Sequence, residues 1–259
     1  MAPVADLHVH TTNSDGSLEL ADVPVAAREA DLEAVAVTDH DRLHPGLDAP
    51  RQERRGITLI HGLELRVDAG GDRVDLLGYG VDPTPALVDE LDRLQRDRVE
   101  RGAAIIDAVE DRLGVDLGLA PFEGIGRPHI ARAVADHPAT DYTVDGTFAD
   151  LIGEGRPCYV PREVPTFERG RALLADACAL VGLAHPLRYP EPGAALDLAA
   201  DLDAVERWYP YEGDPDPAPV ERAIERFDLL PTGGSDAHGD ALGGTGPDRA
   251  AYERVAAGL

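Results

Sequence analysis

The sequence predicts an α/β fold built on a mainly parallel, closed sheet. Short apolar runs typical of strands alternate along the chain with helical patterns, as they do in strand-helix-strand units. The chain has 259 residues, of which 43% are hydrophobic, so one barrel or two smaller domains could bury a substantial core. Because the alternation runs along most of the chain, we expect a barrel.

Each element has its own signal in the sequence. Residues 4–9 alternate apolar and polar side chains, whereas residues 34–38 form the continuous apolar run of a buried parallel strand. Ser17 can cap the helix that follows the first strand. The predicted strands cover residues 4–9, 34–38, 57–60, 73–79, 180–184, 202–208 and 229–232. The predicted helices cover residues 18–30, 47–55, 85–113, 128–137, 147–153, 166–179 and 219–227.

The alternation stops between residues 85 and 165. A long amphipathic pattern at 85–113 is followed there by shorter helical patterns. We therefore expect a helical insertion, or cap, at 85–165, and a barrel formed by residues 1–84 and 166–259.

The charge of the chain restricts where it works and what it binds. The formal net charge is -25, from 49 acidic and 24 basic residues, and every basic residue is arginine. Acids dispersed among regular apolar patterns do not describe a disordered protein; they predict a folded protein of a high-salt cytoplasm, where screening is strong. The excess of acid also disfavours long nucleic acids as partners. No segment is apolar enough to predict a membrane anchor.

The first strand carries the strongest chemical signal. His8 and His10 are two residues apart in the strand, so their side chains leave it on the same side. Asp15 follows after a turn. Imidazole nitrogens and a carboxylate are suitable ligands for a divalent cation. Taken alone, however, this short motif is more often a pair of strand histidines without a metal, one of them exposed.

Other acids and histidines recur at the ends of later predicted strands. They are Asp39 and His40, Glu64, His185, and Asp236 and His238. Asp75 differs because it lies within a predicted strand. In parallel α/β barrels the carboxyl ends of the strands form the rim that carries the active site, so we expect these side chains to meet there.

Together the motifs resemble the polymerase and histidinol phosphatase (PHP) superfamily. They are D-L-H-V-H-T-x-x-S-D-G at 6–16, T-D-H-D at 38–41, G-x-E at 62–64, G-R-P-H-I-A at 126–131, A-H-P at 184–186 and G-S-D-A-H-G at 234–239. The G-R-P-H-I-A segment and the helical insertion are most similar to the branch that contains 3',5'-nucleoside bisphosphate phosphatases and 5'-to-3' exoribonucleases of short RNA. The resemblance implies a distorted (β/α)7 barrel with two to three divalent metal ions.

The resemblance also assigns the ligands of each ion. One ion would be held by His8, His10, Glu64 and Asp236; a second by Glu64, Asp75 and His185; and a third by Asp15, His40 and His238. The branch usually has a histidine where Asp75 stands. Asp39 is expected to orient an imidazole and not to bind metal. We expect Mn²⁺, with Zn²⁺ and Fe²⁺ as alternatives.

The expected substrate is a small phosphorylated molecule, either a nucleotide or a short RNA. Arg127 and His129 would bind a phosphate through the guanidinium and the imidazole, and Arg188 is a second candidate. Capping of a surface helix is the alternative role of Arg127 and His129.

The expected reaction is hydrolysis of a phosphate ester by a metal-activated hydroxide, without a serine or cysteine nucleophile. The alternatives are a histidinol-phosphate phosphatase and a metal-binding PHP module without turnover.

The charge of the chain gives a first prediction. Because its carboxylates repel one another, the melting temperature should rise as KCl is increased from about 0.1 to 3 M. Thermal unfolding followed by circular dichroism measures it. A melting temperature that stays constant or falls would contradict adaptation to high salt.

Overall fold

A computed structural model describes residues 2–213 and 215–259 as a mixed α/β protein. Its strands are β1 (Ala5–Val9), β2 (Ala34–Val37), β3 (Arg51–Arg54), β4 (Ile57–Asp68), β5 (Arg73–Val81), β6 (Cys178–Leu183), β7 (Ala204–Trp208) and β8 (Leu230–Gly233). Its α-helices are α1 (Val23–Glu29), α2 (Pro85–Leu113), α3 (Arg127–Asp136), α4 (Val144–Thr147), α5 (Phe167–Ala177), α6 (Pro192–Leu198), α7 (Ala218–Phe227) and α8 (Arg249–Gly258). A π-helical turn, Phe148–Ile152, continues α4.

Seven of the strands form a nearly closed barrel. Their order is β1-β2-β4-β5-β6-β7-β8, and β3 pairs only with β4, outside this path. The β1–β2, β2–β4, β6–β7 and β7–β8 pairs are parallel. The two ends of the sheet meet where the N–H of His10 donates to the carbonyl of Ala237 over 3.0 Å. The predicted barrel fold is therefore confirmed.

Strand β5 departs from the expected parallel arrangement. It runs antiparallel to both β4 and β6. The cause is the short connection at 69–72, because a parallel neighbour would need a crossover of a dozen or more residues. Gly70 and Gly71 have φ values of 88° and 117°, and their N–H groups donate to the side chain of Asp68.

This reversal explains the position of Asp75. It lies near the start of β5 and pairs with Arg66 near the end of β4, while the next residue, Leu76, pairs with Leu183 at the end of β6. The start of an antiparallel strand lies level with the carboxyl ends of its neighbours. Asp75 is thus at the rim, although it lies within a strand.

The predicted helix at 47–55 is wrong. Residues 51–54 form β3, which pairs antiparallel with β4 through a tight turn at Arg55 and Gly56. Both turn residues have positive φ, at 53° and 79°, as a two-residue hairpin requires. The predicted helix at 18–30 is shorter than expected, since α1 begins at Val23, next to Pro24.

By its internal contacts the chain divides into two compact units. One comprises Met1–Val88 and Val164–Leu259 and contains the barrel; the other is Asp89–Glu163. The second unit has a core of its own, in which Ile105 and Val109 of α2 pack with Ile130 and Val134 of α3 and with Leu151. That residues 85–165 serve as a cap stays a prediction. Within the described residues, every helix is too short or too polar to span a membrane.

A glycine after β8 connects the fold to the site. A Cβ on Gly234 would lie 2.3 Å from the backbone nitrogen of His8 and 2.6 Å from Asp6 Oδ1. Backbone atoms cannot move aside as a flexible side chain can. The close approach of the two chain segments therefore depends on the absence of a side chain.

The Gly234→Ala substitution should destabilise the protein by about 2 kcal/mol or more through this overlap. Gly244→Ala is the matched control, because a Cβ there meets no atom of the described residues within 4 Å. Its effect should stay within about 0.5 kcal/mol. Urea unfolding of both variants measures the difference, and equal stabilities would contradict the packing argument.

Candidate metal centre

All nine predicted ligands lie together at the rim of the barrel. His8, Glu64 and Asp75 lie in strands β1, β4 and β5, and the others follow β1, β2, β6 and β8. They form three groups: His8, His10 and Asp236; Glu64, Asp75 and His185; and His10, Asp15, His40 and His238. Within each group the donor atoms lie within 4.8 Å of one another. The grouping differs from the expected one in two ways: Glu64 falls only in the second group and not also in the first, and His10 is added to the third. Binding of ions there stays a prediction.

The first group has the spacing of ligands around one cation. His8 Nε2 lies 3.4 Å from Glu64 Oε2 and 3.4 Å from Asp236 Oδ1. His10 Nε2 lies 3.4 and 3.1 Å from the same two oxygens. Donor atoms that each lie about 2.1 Å from one ion are separated by about 3 Å.

The histidines of this group are suited to a cation for a second reason. His8 Nε2 and both ring nitrogens of His10 are buried, and they make no hydrogen bond with any described residue. Buried polar atoms are rarely left in this condition, because an unpaired donor or acceptor loses its hydration without compensation. A divalent ion with nitrogen and oxygen ligands would satisfy these atoms, so the residues present fit the implied metal.

Glu64 connects the three groups. Its Oε1 lies 3.0 Å from His185 Nε2, and its Oε2 lies 2.8 Å from His40 Nδ1. Burial by itself would raise the pKa of this carboxyl, but the imidazoles of His40 and His8 and the hydrogen bond from His185 hold the pKa well below its usual range. The carboxylate therefore stays ionised and available to more than one cation.

The third group is the more accessible one. His238 Nε2 lies 3.3 Å from Asp15 Oδ1, and His40 Nε2 lies 3.9 Å from the same oxygen. The side chains of His238 and His40 are 35% and 23% exposed, whereas those of His8 and of His10, which the first and third groups share, are fully buried. Although burial opposes it, the pKa of Asp15 is held well below its usual range by His238 and His40.

Glu206 was missed by the sequence reasoning. Glu206 is a fully buried residue of β7. Its Oε1 lies 3.1 Å from His8 Nδ1, and its Oε2 accepts the backbone N–H of His185 over 2.7 Å. It therefore orients one ligand ring and supports His185, whose φ of 30° is unusual for a residue with a side chain. The sequence signal that could have identified Glu206 was an acidic residue directly after the apolar start of β7.

The PHP domain matches residues 6–137, just over half of the chain. The chain belongs to the PHP family. The match confirms the family that the motifs predicted.

Three relatives of this PHP protein have named activities. The 3',5'-nucleoside bisphosphate phosphatase of Chromobacterium violaceum is 31% identical over 198 residues, which cover 71% of this chain and 67% of that protein. The phosphoribosyl 1,2-cyclic phosphate 1,2-diphosphodiesterase of Eggerthella lenta is 29% identical over 251 residues, which cover 91% and 94%. A 5'-3' exoribonuclease of Salmonella typhimurium is 30% identical over 198 residues, which cover 73% and 67%. The first and third belong to the predicted branch.

A solved structure shares the fold of this PHP protein over its whole length. It comes from Bifidobacterium adolescentis, is assigned provisionally as a metal-dependent phosphoesterase, and superposes with a TM-score of 0.79 at 24% identity. The match covers 100% of this chain and 98% of that one. The likeness extends beyond the residues that the PHP domain matches and includes the last strands of the barrel.

Asp39 has a different role from the one expected. Its carboxylate accepts the backbone N–H and the hydroxyl of Thr11 over 2.7 and 2.8 Å, the hydroxyl of Ser14 over 2.7 Å and the amide of Asn13 over 3.2 Å. None of these donors is an imidazole. Asp39 shapes the loop that leads to Asp15, so the prediction that it orients an imidazole is wrong.

Asp75 is bound by an arginine of the neighbouring strand. Arg66 donates to both carboxylate oxygens, over 2.7 Å from Nε and 2.5 Å from Nη2. The backbone N–H of Asp75 donates to the Tyr189 hydroxyl over 2.8 Å. His185 Nε2 lies 3.7 Å from Asp75 Oδ2. Asp75 is a member of the second group, but its charge is matched by a guanidinium.

Arg188 lies beside the first group. Its Nη1 donates to the Tyr209 hydroxyl over 2.8 Å and lies 3.4 Å from Asp236 Oδ2. Tyr209, which the sequence reasoning missed, donates its hydroxyl to the same oxygen over 2.7 Å. The Arg188 side chain is 52% exposed, so the structure leaves it accessible next to a predicted ligand.

Arg127 and His129 lie in the second unit, at the start of α3. His129 Nδ1 accepts the backbone N–H of Gly126 over 3.0 Å, which is one half of a capping box. Arg127 donates to the carbonyl of Ile152 over 3.3 Å, and its guanidinium carbon lies 5.6 Å from the ring centre of Phe148. The capping role of His129 is therefore present, while contact of either residue with substrate stays a prediction.

Proposed function

We propose that this PHP protein is a metal-dependent phosphoesterase whose preferred substrates are nucleotides with more than one phosphate group, or short RNA. The observation that carries the proposal is the set of adjoining ligand groups joined by Glu64 and His10. Each of the three relatives described above is named for the hydrolysis of a phosphate ester. A binding module without turnover would have no need of so complete a set of ligands.

The residues of the rim prepare the site for an anionic substrate. Glu206 and Asp39 fix the positions of His8, His185 and the loop before Asp15, so little reorganisation is needed when ions bind. When bound, divalent ions neutralise the charge of a phosphate ester and lower the pKa of a bound water toward about 7. Arg188, beside Asp236, supplies a further positive charge for a phosphate oxygen.

We propose two to three ions per chain, with Mn²⁺ as the metal and Zn²⁺ or Fe²⁺ as alternatives. The ligands are imidazoles and carboxylates, which suit all three metals. The second group is the least complete, because Arg66 already engages Asp75. It is therefore the position where occupancy should be lowest.

The substrate is proposed from the relatives. One acts on 3',5'-nucleoside bisphosphates and another is a 5'-3' exoribonuclease, so a nucleotide phosphate is common to both names. A histidinol-phosphate phosphatase has less support, because none of the three relatives carries that name. Phosphate release from nucleoside bisphosphates, short oligoribonucleotides and histidinol phosphate, with added Mn²⁺, separates these possibilities.

The metal content gives a prediction for the rim. Protein purified with Mn²⁺ should carry more than one divalent ion per chain, and His8→Ala or Asp236→Ala should lose turnover by more than about a hundredfold while still folding. His137→Ala is the control, because this histidine lies outside the three ligand groups. Elemental analysis and phosphate release measure both effects. Protein without metal that gains no activity from Mn²⁺, or a variant at wild-type rate, would refute the assignment.

Substrate selectivity gives a prediction for Arg127. If its guanidinium binds one phosphate of a bisphosphate, Arg127→Ala should lower kcat/KM for adenosine 3',5'-bisphosphate by about ten- to a hundredfold. Hydrolysis of p-nitrophenyl phosphate, which has a single phosphate, should barely change. Arg132→Ala, an exposed arginine of the same helix, is the control. Equal losses on both substrates would assign Arg127 to general phosphate binding, and no loss would leave it only a structural role.

A further inference from the structure

Tyr209 joins the first ligand group to the segment that follows β7. It is half-buried and comes directly after the last residue of that strand. Its hydroxyl donates to Asp236 Oδ2 over 2.7 Å and accepts from Arg188 Nη1 over 2.8 Å. An ionised aspartate has no proton to donate and an arginine has no acceptor, so the direction of both hydrogen bonds is fixed at neutral pH. Tyr209 is therefore a donor to a predicted metal ligand.

The two carboxylate oxygens of Asp236 face different neighbours. Oδ1 lies 3.4 Å from His8 Nε2 and 3.1 Å from His10 Nε2, about the separation expected of ligands around one ion. Oδ2 accepts the Tyr209 hydroxyl and lies 3.4 Å from Arg188 Nη1. The last side-chain torsion of an aspartate has broad minima, so the torsion alone would not keep one oxygen directed at the histidines. The hydrogen bond from Tyr209 supplies that preference.

The surrounding structure holds Tyr209 in this place. A Cβ on Gly233 would lie 2.4 Å from the carbonyl oxygen of Trp208, the residue before Tyr209, so the ends of β7 and β8 approach each other closely. The centre of the Tyr209 ring lies 5.3 Å from that of His185 and 4.8 Å from that of Tyr211. Strand ends and ring contacts thus fix the hydroxyl, as the positioning of a metal ligand requires.

Arg188 is less suited to hold the carboxylate. Its side chain is 52% exposed, and its 3.4 Å contact with Asp236 Oδ2 is longer than the ~2.7–2.9 Å of a strong charge-assisted hydrogen bond. Its positive charge would also repel a divalent ion at the first group. The Tyr209 hydroxyl is neutral, so it can fix the carboxylate without this repulsion.

We propose that Tyr209 is a positioning residue of the first ligand group, whose hydroxyl holds Asp236 Oδ2 so that Oδ1 stays directed at His8 and His10. The proposal rests on the proposed function, because it requires this group to bind a divalent ion. It extends that function, because the sequence motifs gave Tyr209 no role. Hydrogen-bond partners of metal ligands typically contribute about ten- to a hundredfold to metal affinity.

Tyr209→Phe tests the proposal, because it removes the hydroxyl and keeps the ring. Protein loaded with Mn²⁺ is dialysed without substrate against buffers of decreasing free Mn²⁺, and elemental analysis gives the ions bound per chain. One ion per chain should require about ten- to a hundredfold more free Mn²⁺ in this variant than in the wild type. Tyr211→Phe is the matched control, since it removes the same group from the neighbouring ring, where the hydroxyl accepts the N–H of Leu187 over 3.3 Å.

The measurements separate positioning from stability and from the proposed function. A positioning role shifts Mn²⁺ binding while the urea unfolding midpoint at saturating Mn²⁺ stays close to that of Tyr211→Phe. The proposal is overturned if Tyr209→Phe retains Mn²⁺ as the wild type does, or if Tyr211→Phe loses as much. If the loaded wild type hydrolyses no phosphate ester, the proposed function fails, yet the shift in Mn²⁺ binding still supports the role of Tyr209. A wild type that retains no Mn²⁺ overturns both.

Discussion

The arrangement of the rim depends on one buried carboxylate that four histidines share. Glu64 lies within 3.4 Å of His8, His10, His40 and His185, and its side chain is 1% exposed. A buried carboxylate is costly unless positive charge surrounds it. The imidazoles of His40 and His8 and the hydrogen bond from His185 hold the pKa of Glu64 well below its usual range, although burial opposes this. Strand β4 therefore holds an ionised carboxylate at the centre of the ligand groups.

A second set of buried acids holds this arrangement in place. Asp6 accepts the N–H groups of Ser235 and Gly243, each over 2.9 Å, and thereby fixes the loop that presents Asp236. Glu206 and Asp39 act similarly on the other loops of the rim. Each of these acids is compensated by hydrogen-bond donors of the protein, whereas Glu64 faces the ligand groups. Buried acids thus have two distinct roles in this protein, and their hydrogen-bond partners distinguish them.

The sequence alone was sufficient for the parts of the fold that local pattern determines. The spacing of His8 and His10 and the position of acids after apolar runs predicted that the ligands lie together, because strand ends of a barrel meet at one rim. Sequence periodicity gave a wrong prediction where the secondary structure depends on which strands pair. Residues 51–54 carry no apolar side chain, and only their hydrogen bonds to β4 make them a strand.

Other features were hidden for a related reason. The four-residue connection before β5 makes this strand antiparallel to β4, but hydrophobic periodicity does not show whether a strand is parallel or antiparallel to its neighbour. The role of Glu206 depends on its contact with His8, which is distant in the sequence.

The net charge of the chain also bears on how it would bind a phosphorylated substrate. A protein at -25 repels anions at long range, so recognition has to rely on local positive charge. If the protein works in concentrated salt, as its composition predicts, the Debye length falls to roughly 3 Å at 1 M, and only groups in contact retain their attraction. Under those conditions the shape of the contact matters more than the charge alone. A planar guanidinium keeps two directed hydrogen bonds to a phosphate, whereas an ammonium offers mainly a point charge that salt screens. The exclusive use of arginine as the basic residue is then a consequence of this constraint.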